Sequence, residues 1–173
     1  MPKIHAPASA SKSTPFETKN DLSAGVRTKV IDLLNARLAD SVDLQSQVKQ
    51  AHWNVKGANF IALHKLFDEI HADVLEYVDE IAERAVQLGG VAQGTVRTAA
   101  RSSQLGEYPA SAVDGEQHVA ALSSALARYG KAVRDAIDEA DEFGDVDTAD
   151  LFTGISRGVD KWLWFVEAHA QAR

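Results

Sequence analysis

The sequence predicts an all-α fold of four long helices, and two patterns predict it. Apolar residues recur at three- and four-residue steps through four separate blocks, the spacing that lines one face of an α-helix. Glycines separate the blocks at Gly57, Gly89-Gly90 and Gly144, glycine being the usual residue just past a helix end. No two-residue alternation competes as a strand signal.

The first block, Val26, Val30, Leu33, Leu34, Leu38, Val42 and Val48, predicts a helix from about 22 to 56. Gly57-Ala58-Asn59 breaks it. The second runs from Phe60 to Leu88 on Leu63, Phe67, Ile70, Val74, Val78, Ile81, Ala85 and Leu88. Residues 91–114 are mixed and contain Pro109, so they read as a long connection carrying one short helix. Val119, Leu122, Leu126, Tyr129, Val133 and Ile137 mark the third helix, which Phe143-Gly144 ends. Leu151, Phe152, Ile155, Val159, Trp162, Leu163 and Val166 mark the fourth, with Asp147 or Thr148 available as its N-cap. Two helical hairpins joined by one long crossover make a ferritin-like four-helix bundle, placed here at residues 21–173.

The chain of 173 residues is long enough to bury a core without covalent staples. Its 45% hydrophobic and 25% charged residues are ordinary for a soluble globular protein. No apolar run reaches membrane-spanning length, and the first residues lack a secretory apolar stretch, so the expected address is the cytoplasm. Cysteine is absent, which excludes disulfides, thiolate metal sites and thiol catalysis. The net charge of −7 is uneven. Residues 1–20 carry Lys3, Lys12 and Lys19 against Glu17 alone, and with their prolines and serines they read as a flexible basic arm on an acidic body.

Candidate metal ligands cluster on the first helical hairpin. His64 and Asp68 lie four residues apart and share a face, as do Asp79 and Glu83. Fifteen residues of helix separate the pairs by about 60° around the axis but by about 22 Å along it. One chain therefore cannot bring both pairs to one ion. Two copies of the helix packed antiparallel about a two-fold axis near Asp73 and Val74 would, forming two identical sites shared between subunits. The turn centres near Ala58, so His52 and His64 stand at the same level on adjacent helices and His52 joins the set. Two imidazoles and three carboxylates suit iron, manganese or zinc. The Glu-x-x-His repeat of di-iron sites inside bundles is absent.

Three stretches, KQAHWNVKGANFIALHKLFD (49–68), DEIAERAVQLGG (79–90) and DTADLFTGISRGVDKWLWFVE (147–167), resemble the DNA-protection-during-starvation (Dps) family of mini-ferritins, a likeness that spans roughly residues 21–170. The resemblance implies a ferroxidase centre of His52, His64 and Asp68 from one subunit with Asp79 and Glu83 from its two-fold neighbour. It implies a dodecameric hollow shell that oxidises Fe(II), preferably with hydrogen peroxide rather than dioxygen, and stores ferric oxide inside.

Other residues carry weaker expectations. Trp53, beside His52, is either a packed hairpin aromatic or an electron donor to the site. Trp162 and Trp164 are expected to pack the fourth helix. Residues 135–150 hold eight acids and no bases. They form either a solvated face or, in the family's architecture, an iron-entry pore, with Asp141, Glu142, Asp145, Asp147 and Asp150 as candidates. No sequence-reading DNA motif is visible. Lys3, Lys12 and Lys19, repeated around a shell, would bind DNA non-specifically by multivalency; otherwise the arm is a solubilising tail. His71, His118 and His169 are assigned no role.

Overall fold

Residues 16–171 are described by a computed structural model, and Lys3 and Lys12 of the arm lie outside them. The chain folds into α1 (Ala24–Asn54), α2 (Phe60–Gln87), a short α3 (Val96–Ser102), α4 (Gly115–Phe143) and α5 (Val146–Glu167). Helix α1 packs along α2 and α4 along α5, while α1 against α4 and α2 against α5 close the bundle. This is the all-α, ferritin-like arrangement of two hairpins and a crossover, with α3 as the crossover's short helix laid on α1. No described helix is long and apolar enough to cross a membrane.

The apolar stripes meet in one core. Leu34, Leu38 and Leu44 of α1, Phe67, Ile70 and Ile81 of α2, Leu122 and Leu126 of α4 and Phe152 of α5 are fully buried. Each such side chain stabilises the fold by roughly 1.5–3 kcal/mol. The crossover itself is fixed by polar bonds to α1. Asp40, paired with Arg37 at 2.8 Å, accepts from the Gln104 N–H at 2.7 Å. Asp43 accepts from the Ser103 hydroxyl at 2.6 Å, and Gln47 donates to the Gly106 carbonyl at 3.0 Å. These bonds set the path along which the chain reaches Tyr108.

Backbone hydrogen bonds tie down both ends of the bundle. At the α1–α2 turn, the Lys56 N–H donates to the Val113 carbonyl at 3.1 Å, joining the hairpin tip to the approach to α4. At the other end, the Phe16 N–H donates to the Gly89 carbonyl at 2.7 Å and the Phe16 carbonyl accepts from Arg27 at 3.3 Å. Lys19 is exposed nearby in sequence.

The α4–α5 corner corrects two expectations. Gly144 is left-handed (φ 85°), which ends α4 and lets the chain restart at once. The N-cap of α5 is therefore Asp145, not Asp147 or Thr148; its carboxylate accepts from the Thr148 N–H at 3.1 Å and the Thr148 hydroxyl at 2.6 Å. It also accepts from Arg84 of α2 at 2.8 Å. Asp145 is only 2% exposed. It is a buried cap with its charge compensated, so it does not belong among the free pore acids. Trp164 is a further correction: it stands 61% exposed, whereas Trp162 is buried and donates its indole N–H to Asp73 of α2 at 2.8 Å.

Helix α5 approaches the middle of α2 through Gly158, where a Cβ would lie 2.0 Å from the Tyr77 hydroxyl. Gly158→Ala is expected to lower stability by about 1–3 kcal/mol through overpacking. Adding Tyr77→Phe should recover part of the loss in urea denaturation. Equal loss in single and double variants would mean that helix curvature, not this contact, sets the cost.

Candidate metal centre

The site starts from the hairpin turn. Helix α1 ends at Asn54, Gly57 takes a positive φ of 109° that no β-carbon favours, and α2 begins three residues later. The short turn brings His52 and His64 face to face, their ring centroids 3.8 Å apart and their planes inclined by 21°. Each ring is fixed by the other residue's backbone. His52 Nδ1 lies 2.8 Å from the His64 carbonyl oxygen, and His64 Nδ1 lies 2.9 Å from the His52 carbonyl oxygen. A carbonyl can only accept, so both Nδ1 atoms carry hydrogen. Both Nε2 atoms are then left as lone-pair donors, the tautomer a metal-ligating histidine needs.

Asp68 lies one turn beyond His64, with a carboxylate oxygen 3.9 Å from His52 Nδ1. Lys49 of α1 makes an ion pair with it. That hydrogen bond is the main reason the Asp68 carboxyl titrates below the usual carboxylate range, assisted by the positive charge of Lys49. His71, one turn further on, is within 3.4 Å of the Gln45 amide, and burial lowers its basicity. The cation at Lys49 occupies a position that a metal bound to Asp68 would have to take over.

Asp79 and Glu83 are both exposed at the far end of α2, about 22 Å along the helix for the fifteen residues between His64 and Asp79. They do not join the histidines within one protomer. Among the described residues, no group of three or more His, Asp and Glu side chains in a single chain can hold a metal ion. One chain thus offers two separated halves, an imidazole half and a carboxylate half, both facing outward from α2.

Trp53 projects from the same turn and is 67% exposed, so in the protomer it is not a packed hairpin aromatic. Of the acidic run, Asp141, Glu142, Asp147 and Asp150 are exposed around the α4–α5 corner. The sequence reading passed over His118, which is fully buried at the start of α4, where Tyr108 bonds it. The polar Glu116 and Gln117 precede it in the chain, so the sequence carried no signal of its burial.

A ferritin-like bundle with paired imidazoles at one end of α2 and exposed carboxylates at the other defines a class that the comparisons narrow. The ferritin-like domain family matches residues 31–172. The DNA protection during starvation protein of Agrobacterium fabrum is 44% identical over 157 residues, covering 91% of this chain and 97% of that protein. DNA protection during starvation protein 1 of Deinococcus radiodurans is 34% identical over 139 residues, covering 80% and 67%. Among solved structures, DpsA14 from Streptomyces coelicolor matches with a TM-score of 0.87 at 33% identity, covering 92% of this chain and 94% of that one. The chain belongs to the Dps family of ferritin-like proteins.

The Lys49–Asp68 pair sets a pH dependence. Its contribution is present above the ordinary aspartate pKa and is lost as pH falls through the lowered one. Lys49→Met is expected to move the Asp68 carboxyl back up toward the ordinary range. Infrared titration of protein labelled with 13C-aspartate, with Asp68→Asn to assign the band, measures this; an unmoved band would mean that other charges depress it.

Proposed function

We propose that this protein is a ferroxidase and iron store that protects DNA by removing ferrous iron and peroxide together. The observation that carries the reading is the mutual fixation of His52 and His64, which presents two Nε2 lone pairs beside a carboxylate on an outward face of α2. The remaining ligands are Asp79 and Glu83 of the partner subunit, delivered by antiparallel packing of two α2 helices.

The α2 surface supports that pairing. Ile61, Leu75 and Val86 are exposed apolar residues. With Asp68 and Asp79 between them they follow steps of seven and four residues, so all five share one face. An axis midway between Asp73 and Val74 sets Asp68 at the level of the partner's Asp79 and His64 at the level of the partner's Glu83. The same register sets Ile61 at the level of the partner's Val86, so apolar residues flank the metal ligands. Such a stripe is costly to leave in water and is covered in an isologous dimer.

Iron is the substrate. Imidazole nitrogens retain Fe(II), and carboxylates, as hard ligands, stabilise the Fe(III) product. Two ferrous ions each give one electron to hydrogen peroxide, whose O–O bond breaks to two hydroxides. No hydroxyl radical is released, because both electrons arrive at the same site. Hydrolysed ferric iron accumulates inside a dodecameric shell. The exposed acids Asp141, Glu142, Asp147 and Asp150 form the rim through which Fe(II) is drawn by a focused negative field. The proteins matched in Agrobacterium and Deinococcus carry DNA protection in their names, and the lysines of the arm supply non-specific, salt-sensitive contacts to DNA phosphates.

Fe(II) loss after a peroxide pulse tests the catalytic reading. The wild type should consume iron rapidly, whereas Asp79→Ala of equal assembly size should be slower by about a hundredfold, the lower end for loss of a group that stabilises charge at the reacting centre. Full activity in that variant would place the chemistry elsewhere. A gel shift with the first 15 residues deleted tests the arm: DNA binding that is unchanged, or that survives high salt, would remove the arm from the account.

A further inference from the structure

Half-buried Tyr108 and fully buried His118 form a hydrogen-bonded pair that iron binding does not use. The Tyr108 hydroxyl lies 2.6 Å from His118 Nδ1, with the two rings inclined by 19°. His118 is fully buried, and its Nε2 is the one buried side-chain nitrogen or oxygen among the described residues without a hydrogen-bond partner. The backbone of Asn54, the last residue of α1, is an acceptor acting on the same ring, whose Nδ1 is already engaged by Tyr108. Such an acceptor favours hydrogen on Nε2. Nδ1 is then the lone pair that takes the phenol's hydrogen bond.

The other two tyrosines lack this arrangement. Tyr129 bonds the Ser41 hydroxyl at 2.7 Å, and Tyr77 lies against Gly158. Tyr108 alone of the three faces a neutral nitrogen base. Its location is specific as well: His118 sits under the end of α1, and Asn54 is two residues from His52. The carboxyl end of a helix carries unsatisfied carbonyls and partial negative charge, which favours a nearby imidazolium.

We infer that Tyr108 is a one-electron donor to the oxidising site at the α1–α2 turn, with His118 as the acceptor of its proton. The inference rests on the ferroxidase reading and concerns the case in which peroxide meets a site holding a single ferrous ion. That ion supplies one electron, and cleavage of the peroxide O–O bond to two hydroxides needs a second. Tyr108 supplies it. The phenolic O–H bond breaks, the proton moves to His118 Nδ1, and the electron goes to the peroxide. The products are Fe(III), two hydroxides, a neutral tyrosyl radical and an imidazolium. A later ferrous ion returns the electron and His118 returns the proton, which restores the pair and leaves a second Fe(III).

A proton acceptor in contact is what makes the step accessible. Burial pushes the Tyr108 phenol's pKa up, so phenolate is not available beforehand. Oxidation without proton loss would leave a radical cation on a half-buried ring, which partial desolvation disfavours. Trp53 is the competing donor: it is nearer in sequence to His52 but is exposed.

The test uses the assembled full-length protein with Fe(II) at less than one ion per site, a hydrogen peroxide pulse, freeze-quenching and electron paramagnetic resonance, with Fe(III) followed by absorbance in parallel. The expected result is a radical whose spectrum narrows when tyrosine is ring-deuterated and which is lost in Tyr108→Phe, while Fe(III) still forms in both. His118→Gln, at equal assembly size, should lower the radical yield at least about tenfold. A photogenerated one-electron oxidant acting on iron-free protein should give the same tyrosyl signal, again lost in Tyr108→Phe. Fe(III) formation without a tyrosyl radical, or a radical that responds only to tryptophan deuteration, would overturn the inference and leave the ferroxidase reading intact. Failure to form Fe(III), with the iron-free radical present, would overturn the ferroxidase reading instead.

Discussion

A straight α-helix advances about 1.5 Å per residue, and that fixed rise governs how α2 can be used. Its imidazole end and its carboxylate end are held too far apart to meet on one ion, and no side-chain rotation closes the gap. Chemistry that needs both ends must therefore cross a subunit boundary. The outward stripe of Ile61, Leu75 and Val86 has a place in the proposed arrangement, since the contact that would cover it would also complete the site. Assembly and activity would then be a single requirement.

The hairpin turn does the complementary work. Aligning His64 with His52 depends on a turn short enough to keep the helix ends level, which the left-handed Gly57 permits. The two carbonyl contacts then fix both tautomers without any partner outside the hairpin. Further layers hold this end in place. Lys56 ties the tip to Val113, and Asp40, Asp43 and Gln47 fix the crossover that brings Tyr108 to His118. At the opposite end, Arg84, the residue after Glu83, bonds the Asp145 cap of α5, so Asp79 and Glu83 stand on a braced helix.

Much of this was legible in the sequence, because helical periodicity and glycine breaks are local signals. The ends of the first two helices were read to within two residues, and the level placement of His52 and His64 followed from counting outward from the turn. What was missed depends on partners distant in the chain. Asp145, Asp147 and Thr148 can all cap a helix; the choice fell to Asp145 because Gly144 ends α4 immediately before it and because Arg84, 61 residues away, neutralises it. Tyr108 and His118 are only ten residues apart, yet no sequence pattern marks their contact, which depends on the α1 side chains that fix the approach to Tyr108 at Ser103, Gln104 and Gly106. Trp164 falls between the core positions Trp162 and Val166, off the apolar period, and stays exposed.

The most direct measurement mixes two inactive variants. His64→Asn removes the imidazole half and Asp79→Ala the carboxylate half, and each shell alone should oxidise Fe(II) slowly. After co-assembly, each mixed dimer contains one broken and one intact site, so random pairing should restore about a quarter of wild-type activity if sites are shared across the two-fold axis. Activity that stays at the level of the separate variants, in shells proven to be mixed, would contradict a site built between subunits.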